Sequence, residues 1–236
     1  MPSPAPPERA TDAAARIQQT LDELRGEFDV AVSEVPLGGR RVTIYHPRSA
    51  EDLIDEEAFA VDERLPYWAD VWPSARVLAE RVVRMPADAR RFLELGCGAG
   101  LVTVAAVMAG FEVTASDYYD EALRFTALNV LVNTGADIET RTADWRRFPH
   151  DMGRFDVVVA SDVLYEREHA QLIAAVLDRT LTARGLALVA DPGRLAAPAF
   201  VEQSGERGML AAIAERVPFE DGEIRQTIDL YEVRRR

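Results

Sequence analysis

The chain has 236 residues, 48% of them hydrophobic, enough for one sizeable core with a modest extension. Its 40 acidic residues against 27 basic ones, all arginine, leave a net charge of -13, which disfavours a partner held by clustered cations, whether a nucleic acid or an anionic membrane surface. A lone Cys97 excludes an intrachain disulfide framework and any CxxC metal site, His46, His150 and His169 show no metal-ligand spacing, and with no apolar run of bilayer length a reducing cytoplasm is expected.

Residues 1–10 open with the four prolines of MPSPAPP and are expected to form a disordered tail. From Thr11 onward, Ala14, Ile17, Leu21 and Leu24 recur three and four apart, which predicts an amphipathic helix stopping near Gly26. FDVAVSEV and RRVTIYHP flank Pro36-Leu37-Gly38-Gly39 and predict a hairpin, with His46 as a strand-end residue or, given a partner, a catalytic one. The stretch from Ser49 to Glu63 is acidic, most simply a solvated helix and loop. Helix and hairpin together make an expected extension over 11–70.

Beyond it, apolar runs alternate with amphipathic segments. Helices are predicted over 74–84, 101–109, 120–133 and 168–181, and strands over 91–95, 111–116, 138–142, 155–161 and 186–190. VVVA and LALVA are apolar at consecutive positions, as parallel strands covered on both faces require. A short helix over 198–207 and two strands, 211–219 and 224–233, facing each other across Glu220-Asp221-Gly222, complete the chain. The expected fold is α/β: a doubly wound, mostly parallel seven-stranded sheet over 71–236, with a C-terminal antiparallel hairpin and a small N-terminal helix and hairpin extension.

LELGCGAG, at 93–100, sits where a strand gives way to a helix. Its glycines let the backbone turn tightly and approach a ligand, and the free amides at the helix start favour a negatively charged group. Gly96, Gly98 and Gly100 give GxGxG, with Leu101 where a dinucleotide fingerprint needs glycine, and the chain has no lysine for a Walker loop. Cys97 is a spacer in that loop or, beside a base or cation, a reactive thiol. Asp117 ends the next strand 21 residues after Gly96, as a helix cap or as the acceptor for two ribose hydroxyls. Asp144-Trp145 reads as a turn with a buried indole or as a purine pocket. Ser161-Asp162-Val163-Leu164-Tyr165 closes the fourth core strand, where a carboxylate and a phenol point into the ligand crevice unless Asp162 only caps. Tyr67, Trp68 and Trp72 form a hydrophobic lid or line a ligand.

The ordered set LELGCGAG, Asp117, Asp144-Trp145 and Asp162-Val163-Leu164-Tyr165 resembles class I S-adenosylmethionine-dependent methyltransferases, which have seven-stranded Rossmann-like sheets. LPYWADVWPS at 65–74 together with that DxxY is similar to the small protein-lysine methyltransferases of the class. Asp191-Pro192-Gly193-Arg194 further resembles the branch acting on the β subunit of electron-transfer flavoprotein, from which the chain departs at Leu195-Ala196-Ala197-Pro198. The resemblance covers about Thr43 to Val233. It implies S-adenosyl-L-methionine as cofactor. Gly96, Cys97 and Gly98 would line its methionine part, with Gly100 completing the loop, Asp117 its ribose, and Asp144 and Trp145 its adenine. Trp72 would pack on it, with Ser161 close by. The resemblance implies Asp162 and Tyr165 as the catalytic pair, with Tyr67, Trp68 and Arg194 on the substrate side. Arg194 then pairs with an acid beside the target lysine or stabilises its own turn. The implied function is N-methylation of lysine on a specific protein, the flavoprotein β subunit being the partner implied, without nucleic acid or membrane. A small nicotinamide-like acceptor, or cofactor binding without turnover, are the alternatives.

Overall fold

Phe92, Val157, Val159 and Leu188 enter one hydrophobic core, whereas Leu93, Val158, Ala160 and Val189 enter another. Successive strand side chains point to opposite faces, so these strands form a sheet covered on both sides, which is why their sequences lack polar alternation. The computed structural model describes residues 7–50, 53, 66–88 and 90–236, with side chains from residue 13 onward. Its N-terminal part is α1 (Pro7–Glu27), β1 (Val30–Leu37) and β2 (Arg40–Pro47). There follow α2 (Pro73–Val82), β3 (Arg91–Leu95), α3 (Leu101–Ala109), β4 (Glu112–Asp117), α4 (Asp120–Thr134), β5 (Glu139–Thr142) and β6 (Phe155–Ser161). The last elements are α5 (His169–Thr180), β7 (Leu181–Asp191), α6 (Ala197–Glu206), β8 (Met209–Asp221) and β9 (Ile224–Arg235).

The seven-stranded sheet has the order β5-β4-β3-β6-β7-β9-β8. Its first five strands are parallel, and β9 runs antiparallel between β7 and β8. The chain winds outward from β3 in one direction and from β6 in the other. The crevice between their carboxyl ends is therefore the switch point at which such sheets hold ligands. α3 is apolar all round but for Thr103, as suits a helix wedged between neighbours, and its residues Leu101 to Ala106 are buried.

The hairpin and α1 both close on α4. Leu21 and Leu24 pack with Phe125 and Leu128, while Val35, Leu37, Val42 and Ile44 enter the first core. Asn129 and Asn133, four apart and so on one face of α4, act as a short mock strand along β2. The amide of Tyr45 donates to Asn129 Oδ1 and the amide of Thr43 to Asn133 Oδ1, at 2.8 and 2.9 Å. The two side-chain amides return the bonds to the carbonyls of Tyr45 and Thr43, each at 2.8 Å.

Three local expectations are corrected. Pro7 to Ala10, read as tail, are helical, because a proline at the first helical position lacks only an N–H that has no partner there. Gly26 lies inside α1, which ends one residue later. β7 starts at Leu181, where helix 168–181 was expected to end, because Leu181 pairs with Phe155 before the register shifts to Val157 with Leu186. Residues 1–6 and, Leu53 apart, the acidic stretch 51–63 lie outside the described residues.

Candidate active site

A cleft of about 570 Å³ opens at the carboxyl ends of β3, β4, β6 and β7, and every residue that the resemblance assigned to the site lines it. Its floor is the loop after β3. Gly96 and Gly98 have φ of +68° and +53°. A Cβ on Gly96 would stand 3.3 Å from the Trp145 ring, and one on Gly98 would stand 3.0 Å from the Trp68 carbonyl oxygen. The loop backbone can thus lie this close to its surroundings only with glycine. Gly100 serves a different purpose: a Cβ there would meet Thr126 Cα at 2.8 Å, so its bare backbone lets α4 pack. Cys97 turns its thiol away into the protein, where Thr126 Oγ1 donates to Sγ at 3.3 Å and burial pushes the thiol pKa well up. It is an inert packing group, and what it offers the cleft is backbone.

Asp117 ties two loops together. Its carboxylate accepts from the Gly98 amide at 2.9 Å and the Tyr119 amide at 3.1 Å. Burial raises its pKa to about 6. Behind it lies Glu94, which the sequence reading did not single out although an acid inside an apolar strand was the signal. Glu94 accepts from Thr103 Oγ1 and burial raises its pKa to about 8, so it is largely protonated at neutral pH. On the far side, Asp144 Oδ1 accepts from the Arg146 amide at 2.9 Å and caps the short 3₁₀ turn that carries Trp145.

The two aromatic neighbours Tyr67 and Trp68 part company. Tyr67 is 40% exposed at the cleft mouth, with Tyr165 edge-on at 5.6 Å and Trp72 at 6.1 Å. Trp68 is 8% exposed and its indole packs on Phe28, Phe125 and Tyr119 beneath α1. Its backbone is what stands nearest Gly98 of the glycine loop. Trp72 is pinned by its Nε1–H, which donates to the Tyr67 carbonyl at 2.8 Å.

Asp162 follows β6 with φ +57° and is 8% exposed. Arg194 reaches it from the turn after β7, donating to Oδ1 through Nε at 3.0 Å and Nη2 at 2.7 Å, with its guanidinium carbon 6.0 Å from the centre of the Trp72 ring. Of the two roles foreseen for Arg194, the structure thus has an ion pair, but one that crosses to Asp162. Ser161 stands half-buried beside it. Tyr165 lies edge-on to His169 at 4.5 Å, and burial holds its phenol pKa well above the ordinary value. His169 was not foreseen either, since no spacing marks it. It is buried, donates from Nδ1 to the Val163 carbonyl at 2.9 Å, and stands edge-on to Trp145 at 5.1 Å. Desolvation lowers its pKa, leaving it neutral at pH 7. His46 lies outside the cleft lining, paired with Ser33 and the Pro47 carbonyl on the hairpin.

A family model described as lysine methyltransferase matches residues 67–199. The electron transfer flavoprotein beta subunit lysine methyltransferase of Xenopus laevis is 32% identical over 133 residues, covering 55% of this chain and 53% of that protein. Protein-lysine methyltransferase METTL21E of Bos taurus is 30% identical over 125 residues, covering 48% of this chain and 43% of that protein. The chain spans about half the length of the curated relatives it matches. Among solved structures, the glycopeptide N-methyltransferase MtfA complexed with sinefungin shares the fold at TM-score 0.53 and 19% identity, over 72% of this chain and 96% of that one.

Proposed function

This chain belongs to the lysine methyltransferase family, and from that premise we propose that it transfers the methyl group of S-adenosyl-L-methionine to the ε-amine of a lysine on a specific protein. The observation that carries this reading is the meeting, in one cleft, of the GxGxG loop and Asp117 with the Asp162–Tyr165 turn. The residues present fit the cofactor. Gly96 and Gly98 leave a cradle that a Cβ would fill. Asp117 is a buried carboxylate, and hydroxyl donors would favour its ionised form. In this reading Asp117 takes the ribose, Asp144 and Trp145 the adenine, and the backbone of Gly96, Cys97 and Gly98 the methionine part, with Trp72 and Ser161 alongside. Bound there, S-adenosyl-L-methionine supplies a methyl group already activated by its sulfonium.

What remains for the protein is alignment and exclusion of water. Arg194 occupies Oδ1 of Asp162, so Oδ2 is the oxygen that attracts and orients an incoming ammonium. The proton leaves to water before transfer, since only the neutral amine has a lone pair to offer. Tyr165, held protonated by its raised pKa, donates a hydrogen bond at the acceptor side. Tyr67 and Tyr165 wall the mouth. The electron-transfer flavoprotein β subunit is the partner this reading favours, on the strength of the Xenopus laevis relative; a cytoplasmic location is a separate part of the proposal, resting on the sequence.

Incubation with lysate and tritiated cofactor tests the proposal. Label on lysine of one or a few proteins is the expected result, and the chain's own lack of lysine removes lysine automethylation as a background. Label confined to small molecules overturns the protein-lysine reading in favour of a nicotinamide-like acceptor. S-adenosylhomocysteine, but not NAD, is expected to raise the melting temperature, and Asp117→Ala to diminish that rise. Equal stabilisation by NAD would defeat the cofactor assignment.

A further inference from the structure

Seven large hydrophobic side chains are exposed among the described residues, and four of them, Tyr67, Tyr118, Tyr165 and Leu195, stand on or beside this one cleft. Leu195 is 91% exposed, more than any of the others. A leucine on a loose loop would mean little, because single exposed apolar residues are common. This one is held out by its neighbours. Asp191 Oδ1 accepts from the amides of Gly193 and Arg194 at 2.8 and 2.7 Å, which fixes the turn after β7. The Arg194 side chain is tied back to Asp162, and Ala196 and Ala197 on the other side are buried. Leu195 therefore projects from a turn anchored on both flanks, one residue from the cation that touches the acceptor-side carboxylate.

We infer that Leu195, with Tyr67, Tyr118 and Tyr165, forms a docking rim for a protein segment in which a large apolar side chain lies next to the acceptor lysine. The inference rests on the proposed lysine methylation and adds to it the local chemistry of the substrate. The charges fit that occupant. Asp162 takes the one cation of the segment in the cleft, while the rim residues present apolar surface to what flanks it. Exposed apolar side chains gathered at one place on a surface and edged by polar groups mark protein contacts.

Two synthetic peptides of equal length test this, one with leucine on both sides of a single lysine and one with serine there. The wild-type protein is expected to favour the leucine peptide by about tenfold in kcat/KM, chiefly through KM, the factor that burial of one such side chain supplies. Leu195→Ser is expected to bring that ratio to within about twofold, a loss of about fivefold or more. Thermal stabilisation of the variant by S-adenosylhomocysteine serves as the check that it is folded. Equal rates on the two peptides, an undiminished ratio in Leu195→Ser, or labelling of a lysate protein but of neither peptide would each overturn the rim. If the wild-type protein labels no lysine in peptides or lysate, the proposed function itself fails and the rim with it.

Discussion

Asp162 occupies the left-handed backbone region, which a side chain other than glycine's adopts at a cost of about 1 kcal/mol or more unless its surroundings impose it. Its amide donates to the Ala190 carbonyl at 2.9 Å, and Arg194 holds its side chain. Asparagine tolerates the same backbone and keeps the shape while removing the charge. Asp162→Asn is therefore expected to lower kcat by about 10²-fold while cofactor affinity by calorimetry changes little. Loss of affinity in step with activity would move Asp162 to the cofactor side. Glu94 makes a second residue-level prediction. Burial raises its pKa from 4.5 to about 8, so the native state binds a proton there that the unfolded chain has already lost. That contribution is complete below about pH 4.5 and disappears as pH rises through about 8. Asp117, raised to about 6, acts with the same sign at lower pH. The melting temperature of the free protein should consequently fall between about pH 5 and 8, and Glu94→Gln, which cannot ionise, should flatten that fall. An identical pH dependence in the two proteins would contradict the assignment.

At the scale of elements, the glycine loop depends on a helix that it follows in neither sequence nor sheet order. Asn129 of α4 donates from Nδ2 to the Ala99 carbonyl in the loop and to the Tyr45 carbonyl in β2, both at 2.8 Å. One fully buried amide thus joins the hairpin to the loop proposed to hold the cofactor. Asn129→Ala leaves the Tyr45 amide and two carbonyls without partners, and each unmet buried group costs about 1–3 kcal/mol. A destabilisation of about 3 kcal/mol in urea unfolding is expected, together with weaker binding of S-adenosylhomocysteine. Asn133→Ala, which touches β2 but not the loop, should destabilise less and leave that binding unchanged. Equal effects of the two on binding would refute the link.

Across the whole molecule, the net charge of -13 sets up a field that draws cationic surfaces and repels acidic ones. Rates on a protein lysine are expected to fall as ionic strength rises from about 0.02 to 0.3 M, since the Debye length shrinks several-fold over that range. The effect should lie in kcat/KM rather than kcat, because it acts on encounter. A flat salt profile would mean that long-range charge has no part in acceptor choice.

The order of elements, the parallel sheet, the glycine loop and Asp117 were legible in the chain itself, because each follows from a local rule. Strands buried on both faces must be apolar throughout, and a loop pressed against Trp145 and Trp68 must be glycine at the touching positions. Other features depend on distance. Arg194 meets Asp162 across 32 residues, and only the parallel pairing of β6 with β7 brings their carboxyl ends together. His169 gains its partners from the same crevice, with no motif to announce it. Tyr67 and Trp68 are adjacent aromatics with no periodic pattern to separate them. A single turn of 3₁₀ helix points one into the cleft mouth and the other under α1. Local chemistry is written in neighbouring residues; which side chains meet across a crevice is decided when the strands pair and the helices close over them.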